Sequence, residues 1–191
     1  MEGLVPSVGA VLVMDSEGNR IVARYFQEVV NFSKLREDPT APADQLAFEK
    51  KLFEKTARTN AKNEVEILYT DGVVSVYRNS CDVWLYLVGS QAENELILHN
   101  CLEALHESLI SALRGSLDRR LLLENFDTLL LTIDELVDAT TGMVLETDPD
   151  IIAARVVPSS AGRAGSPKEA KEGVNMMLSA ARNQLARTLL K

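Results

Sequence analysis

The chain has 191 residues, 46% of them hydrophobic and 25% charged, with a net charge of −8 and a pI near 4.9. This is the composition of a soluble globular protein, long enough to close one core without staples and suited to one domain with an appendage. The acidic balance excludes non-specific nucleic-acid binding and a general attraction to anionic membrane, so any membrane role is expected to run through a partner.

The start, Met1–Pro6, has no basic stretch followed by an apolar run, and no later run is long enough to span a bilayer. Neither a myristoylation glycine nor a prenylation box is present, and Cys81 and Cys101 read as reduced cytosolic thiols.

Val8–Met14 is a short apolar run, expected as a strand buried on both faces. Gly18-Asn19 then supplies the positive φ angles of a hairpin turn into a strand over 20–26, where Ile21, Ala23 and Tyr25 share one side. Residues 30–44 hold Pro39 and Pro42 without periodicity and read as a loop. From Gln45 the spacing of Phe48, Leu52 and Phe53 predicts a helix ending over 59–63, with Lys50, Lys51, Lys55 and Arg58 as its one basic cluster. That cluster is either a solvated face or a surface for an acidic protein or an anionic headgroup.

Three strands follow, over 65–69, 73–77 and 83–88, separated by Asp71-Gly72 and by Asn79-Ser80. Connections this short imply an antiparallel meander. Ser90-x-x-Glu93 resembles a capping box opening a helix that places Leu98, Cys101, Leu102, Leu105, Leu109 and Ala112 on one stripe and ends near Gly115. Asp118 caps a further helix, read as continuous to about Val137. Its apolar set is wider than one sheet-facing stripe needs, since Leu123 and Leu131 fall off the main stripe. Either the helix is wedged between neighbours or a partner covers part of it.

Asp148-Pro149 starts a helical turn through Arg155; residues 158–167 are a linker by composition. Beyond it, Val174, Met177, Leu178, Ala181, Leu185 and Leu189 form an amphipathic helix that must dock on its own domain or on another chain. The expected fold is α+β: a five-stranded antiparallel sheet in the order ββαβββαα, with helices on both faces. The domain spans 1–157, the linker 158–167 and the helical extension 168–191.

Catalysis has no support in the residues. His99 and His106 share a helix, but Cys101 is rotated away, so no three metal ligands converge. Cys81 has no acid–base partner in the sequence around it, and nucleotide-binding glycine loops are missing. Asp134, Glu135 and Asp138, and Glu146, Asp148 and Asp150, read as solvated carboxylates at helix ends. We therefore assign no catalytic residue, metal or cofactor.

The element order resembles the longin-type fold of clathrin-adaptor small chains. Ala47-Phe48-Glu49-Lys50 through Thr59, Glu93-Asn94-Glu95-Leu96, Leu122-Leu123-Glu124-Asn125, Asp134–Asp138 and Gly142–Pro149 are together similar to coatomer zeta subunits, over about 8–157. The resemblance implies a non-enzymatic coat subunit in an obligate pair with the coatomer gamma subunit. That pair joins the remaining coatomer subunits and reaches an Arf-family GTPase indirectly. The implied setting is cytoplasmic, peripheral on Golgi membranes and COPI vesicles of retrograde Golgi-to-ER and intra-Golgi transport.

An interface with the gamma trunk is expected around Leu123, Phe126, Leu130 and Leu131, together with a sheet edge. The 30–44 loop is longer than that family leads one to expect. The alternatives are a sigma-type adaptor chain and a longin-type module regulating a small GTPase. Sigma chains use a basic residue near the second strand to bind acidic dileucine signals. Here Ile21 takes that position, and strict alternation turns the neighbouring Arg20 the other way.

Overall fold

The computed structural model describes residues 6–26, 42–59, 64–70 and 72–157. The linker, the helical extension, most of the 30–44 loop and residues 60–63 expected to end the first helix lie outside them. The elements are β1 (Ala10–Asp15), β2 (Arg20–Tyr25), α1 (Pro42–Thr56), β3 (Val65–Thr70), β4 (Val73–Ser80), β5 (Val83–Ser90), α2 (Glu95–Leu113), α3 (Arg119–Glu124), α4 (Phe126–Leu136) and α5 (Pro149–Val156). The strands form one antiparallel sheet in the order β2-β1-β5-β4-β3. β1 and β5 lie inside the sheet, which explains why both read as nearly unbroken apolar runs.

Alternation sorts the side chains into two cores. Val11, Val13, Val74, Val76, Leu85 and Leu87 meet α2, α3, α4 and α5 through Leu98, Leu102, Leu105, Leu122, Leu129, Ile133 and Ile152. On the opposite face Ala10, Leu12, Met14, Tyr77, Trp84 and Tyr86 meet Phe48 and Leu52 of α1. Among the described residues one helix thus covers one face and several cover the other, so the expected order holds with helices on both faces.

Several local readings need correction. α1 begins at Pro42, three residues before Gln45, because proline fits the first turn of a helix, where its missing N–H is not needed. The helix expected to run continuously to Val137 is broken at Asn125, whose φ of −126° and ψ of 46° interrupt the ladder while its side-chain amide donates to the Leu121 carbonyl. α2 is capped by Asn94, which accepts from the Leu96 amide, rather than by Ser90. Glu93, the expected box partner, instead accepts from the Ser7 hydroxyl.

The β4–β5 turn falls at Cys81-Asp82, two residues beyond Asn79-Ser80, with Cys81 in the left-handed region at φ 56°. In the first hairpin only Gly18 has positive φ; Asn19 instead ties to the Asp15 carboxylate. Gly142 also needs its left-handed φ, and a Cβ there would run into the Val8 carbonyl oxygen.

β2 carries the largest surprise. Val13 pairs with Val22 but Met14 pairs with Arg20, so Ile21 is an extra, bulged residue. Ile21 packs with the multi-helix core, whereas Ala23 and Tyr25 pack with the α1 core. The bulge therefore separates Ile21 from Ala23 and Tyr25, and turns Arg20 toward α1.

Candidate partner interface

The four residues expected at an interface sit on α3 and α4. Leu123, Phe126 and Leu131 are 49%, 39% and 49% exposed. Leu130 is half-buried and packs against the core, so it supports this surface more than it forms it. The four do not make one stripe: at 3.6 residues per turn Phe126 and Leu130 stand roughly 40° apart, with Leu131 about 100° further round. The Phe126–Leu130 row continues to Asp134, which pairs with Arg24 at 3.2 Å, so that row borders β2. The Leu131 row continues to Glu135, which pairs with Arg155 of α5 at 3.2 Å.

Sequence reasoning missed Met143, Leu145 and Ile151, all exposed. A signal for the first two was available. Val144 bridges to Val137 and packs on the core, so its neighbours Met143 and Leu145 are turned outward. Ile151 lies one turn before Arg155, placing it and Leu131 each one turn from the Glu135–Arg155 pair.

The candidate chemical groups are occupied structurally. Asp138 accepts from the amides and hydroxyls of Thr140 and Thr141, bonds that hold its carboxyl well below the ordinary range. Glu146 accepts from the Thr147 and Asp148 amides, and Asp148 caps α5 through the Asp150 and Ile151 amides. Burial pushes the Cys101 thiol up to about 11, which keeps it protonated.

His106, expected at a polar helix edge, is buried instead. Its Nε2 lies 3.4 Å from the Ser80 hydroxyl, and burial, followed by the nearby Arg78, depresses it to about 4 against an opposing pull from Glu103. His99 is half-buried on the same helix. Among the described residues no three His, Cys, Asp or Glu side chains are arranged to hold a metal ion, and no helix is long and apolar enough to cross a membrane.

The bulge gives Arg20 a partner that alternation did not foresee. Its Nε and Nη2 donate to Glu49 at 2.9 and 2.6 Å, and the Tyr25 hydroxyl donates to the same carboxylate at 2.7 Å. Glu49 is 3% exposed, so α1 brings one buried charge to the sheet and the sheet returns a bidentate cation. The hydrogen bond to Glu49 raises the Arg20 pKa further, and burial followed by Glu49 pushes the Tyr25 hydroxyl far up. Arg20 thus shares the α1 face with Tyr25, correcting the sequence-based orientation, but its charge is matched from within.

The comparisons agree with this architecture. The family model described as the clathrin adaptor complex small chain matches residues 7–161. Coatomer subunit zeta-3 of Arabidopsis thaliana is 37% identical over 185 residues, covering 97% of this chain and 95% of that one. Coatomer subunit zeta-1 of Homo sapiens is 36% identical over 193 residues, covering 100% and 97%; zeta-2 of Homo sapiens is 38% identical over 185 residues, covering 97% and 79%.

Among structures, a chain in the homology model of the full-length AP-3 complex in a stretched open conformation superposes with a TM-score of 0.58 at 17% identity. It covers 91% of this chain and 98% of that one, a likeness of fold. The chain belongs to the clathrin adaptor small-chain family and, within it, to the coatomer zeta subunits.

Proposed function

We propose that this chain is a non-enzymatic subunit of the COPI coat that pairs permanently with the trunk of the coatomer gamma subunit. Through that pair it joins the other coatomer subunits and meets an Arf-family GTPase indirectly. It acts in the cytoplasm, on Golgi membranes and COPI vesicles of the retrograde and intra-Golgi routes. The observation that carries this reading is 36–38% identity to coatomer zeta subunits along nearly the whole chain.

The Phe126–Leu130 row and the adjoining β2 edge form the trunk contact, and Leu123 and Leu131 extend it. Exposed apolar residues held on rigid helices suit a permanent interface, which resembles a core cut in two.

Co-expression with a coatomer gamma trunk and, separately, with a clathrin-adaptor trunk tests the assignment on size-exclusion chromatography. Co-elution with gamma alone is expected, and Phe126→Asp is expected to abolish it while leaving the melting curve unchanged. Co-elution with the adaptor trunk alone would replace the reading with a sigma-type chain. A monomer that ignores both and binds a small GTPase directly would make it a longin-type regulator.

A further inference from the structure

The two edges of the sheet are built differently. β2 presents Arg20 and Arg24 and carries a bulge, devices that discourage another strand from adding to an edge. β3, at the far edge, reads Val-Glu-Ile-Leu-Tyr-Thr and pairs with β4 in unbroken register from Val65↔Arg78 to Thr70↔Val73. It has no Lys, Arg, Pro or bulge, and among the described residues no strand pairs with its outer side. From Val65 to Tyr69 that outer side carries the backbone N–H and C=O groups with which an added strand pairs.

Register fixes what each face of that edge offers. Ile67 and Tyr69 pair with Val76 and Val74, which belong to the multi-helix core, so they stand on that face, 40% and 53% exposed. Glu66, Leu68 and Thr70 stand on the α1 face, where the Lys55 ammonium donates to the Thr70 hydroxyl. That bond brings the Lys55 side of α1 to β3. Lys51, four residues before on the helix, lies along the same side, and Arg58 follows in the turn just past the helix end. Lys51 and Lys55 of the basic cluster therefore border the open edge.

We propose that β3 is a docking edge for an extended, acidic segment of a partner protein, which adds as a sixth strand. Alternate side chains of the added strand face opposite ways. An apolar row packs beside Ile67 and Tyr69, and an acidic row meets Lys51 and Lys55. A second copy of this chain fits poorly, because β3–β3 pairing brings two basic flanks together. A lipid surface leaves the backbone row unmet. This edge lies at the opposite end of the sheet from the proposed trunk contact, so its test is independent of that pairing.

The test uses the full chain and a capped eight-residue peptide of alternating Glu and Val, with a Lys–Val peptide as control, read by hydrogen exchange. The Glu–Val peptide is expected to slow exchange across residues 65–70 by about tenfold or more, and the control to do nothing comparable. Lys51→Glu and Lys55→Glu combined is expected to reverse the preference. Tyr69→Lys, at an exposed position, weakens binding with an unchanged melting curve.

Equal protection by both peptides, protection elsewhere, or none would overturn the proposal. So would β3 amides already slow in the chain alone, which would mean that the chain covers its own edge. A concentration-dependent dimer lost in Tyr69→Lys would replace the partner strand with a second copy. Binding to phosphatidylserine vesicles without peptide binding would assign the basic flank to membrane.

Discussion

The two faces of the sheet are held by different physics. On one, α2, α4 and α5 enclose an aliphatic core of Leu, Val and Ile, with His106 buried beside Ser80 and Arg78 of β4 paired with Glu103 of α2. On the other, α1 is the one helix among the described residues, over an aromatic layer: Tyr77 and Trp84 flank Tyr86, with ring centroids 5.8 and 6.2 Å away, and Phe53 meets Trp84 edge-on at 5.9 Å. Polar bonds pin α1 along its length, from Arg20–Glu49–Tyr25 to Thr56–Tyr86 and Thr59–Tyr77. Helices that pack on one another limit each other's sliding by interdigitation. A lone helix on a sheet lacks those neighbours, and directional hydrogen bonds set its position instead.

Substitutions on the two faces can break this contrast. The largest effect is expected from Leu105→Ala, which empties a fully buried site in the multi-helix core and should cost ~3–5 kcal/mol in denaturant unfolding. Glu49→Ala should cost ~2–3 kcal/mol, because it strips both Arg20 and Tyr25 of their shared acceptor. If it cost under about 0.5 kcal/mol, the polar bonds would be incidental and the aromatic layer alone would hold α1.

The pH response should separate the faces next. Tyr77, on the α1 face, is pushed up to about 12 by burial and then by its bond to Glu66; Tyr25 and Tyr86 also move up. An acid whose folded pKa is raised holds its proton longer folded than unfolded, so stability is intact below pH ~10 and falls as pH rises toward 12. On the multi-helix face, His106 is lowered to about 4, so its share of stability is intact above pH ~6.5 and is lost as pH falls toward 4. Tyrosine absorbance should report alkaline loosening, and His106→Gln should reduce the acid loss between pH 6.5 and 4.

The smallest change, Tyr86→Phe, deletes only the bond to Thr56 and should cost ~1 kcal/mol by thermal melting.

What the sequence disclosed follows the same division. β1 and β5 were legible because burial on both faces leaves an apolar run, and the α2 stripe because a helix on a core repeats its contacts. The break at Asn125 was hidden because apolar residues continue through it on both sides, so periodicity sees no gap. The bulge at Ile21 was hidden because alternation within one strand carries no information about its partner's register.

At the interface, Leu123, Phe126 and Leu131 were legible as surplus apolar positions. Leu130 could not be told from them, since its half-burial depends on packing that spacing does not encode. Met143 and Leu145 lacked any periodic frame; they are turned outward only because Val144 is turned in.

The extra residue at Ile21 also makes this hairpin tolerant of one particular length change. Ile21 and Val22 both pack on the multi-helix side, so deleting Ile21 would leave Val22 opposite Val13 and Arg20 opposite Met14, each on its present face. Regular pairing would be restored and Glu49 would keep its cation. What is lost is the packing of one partly buried side chain. In deletion scanning, the expected signature is that losing Ile21 is about as damaging as Ile21→Ala, with the Arg20–Glu49 pair intact.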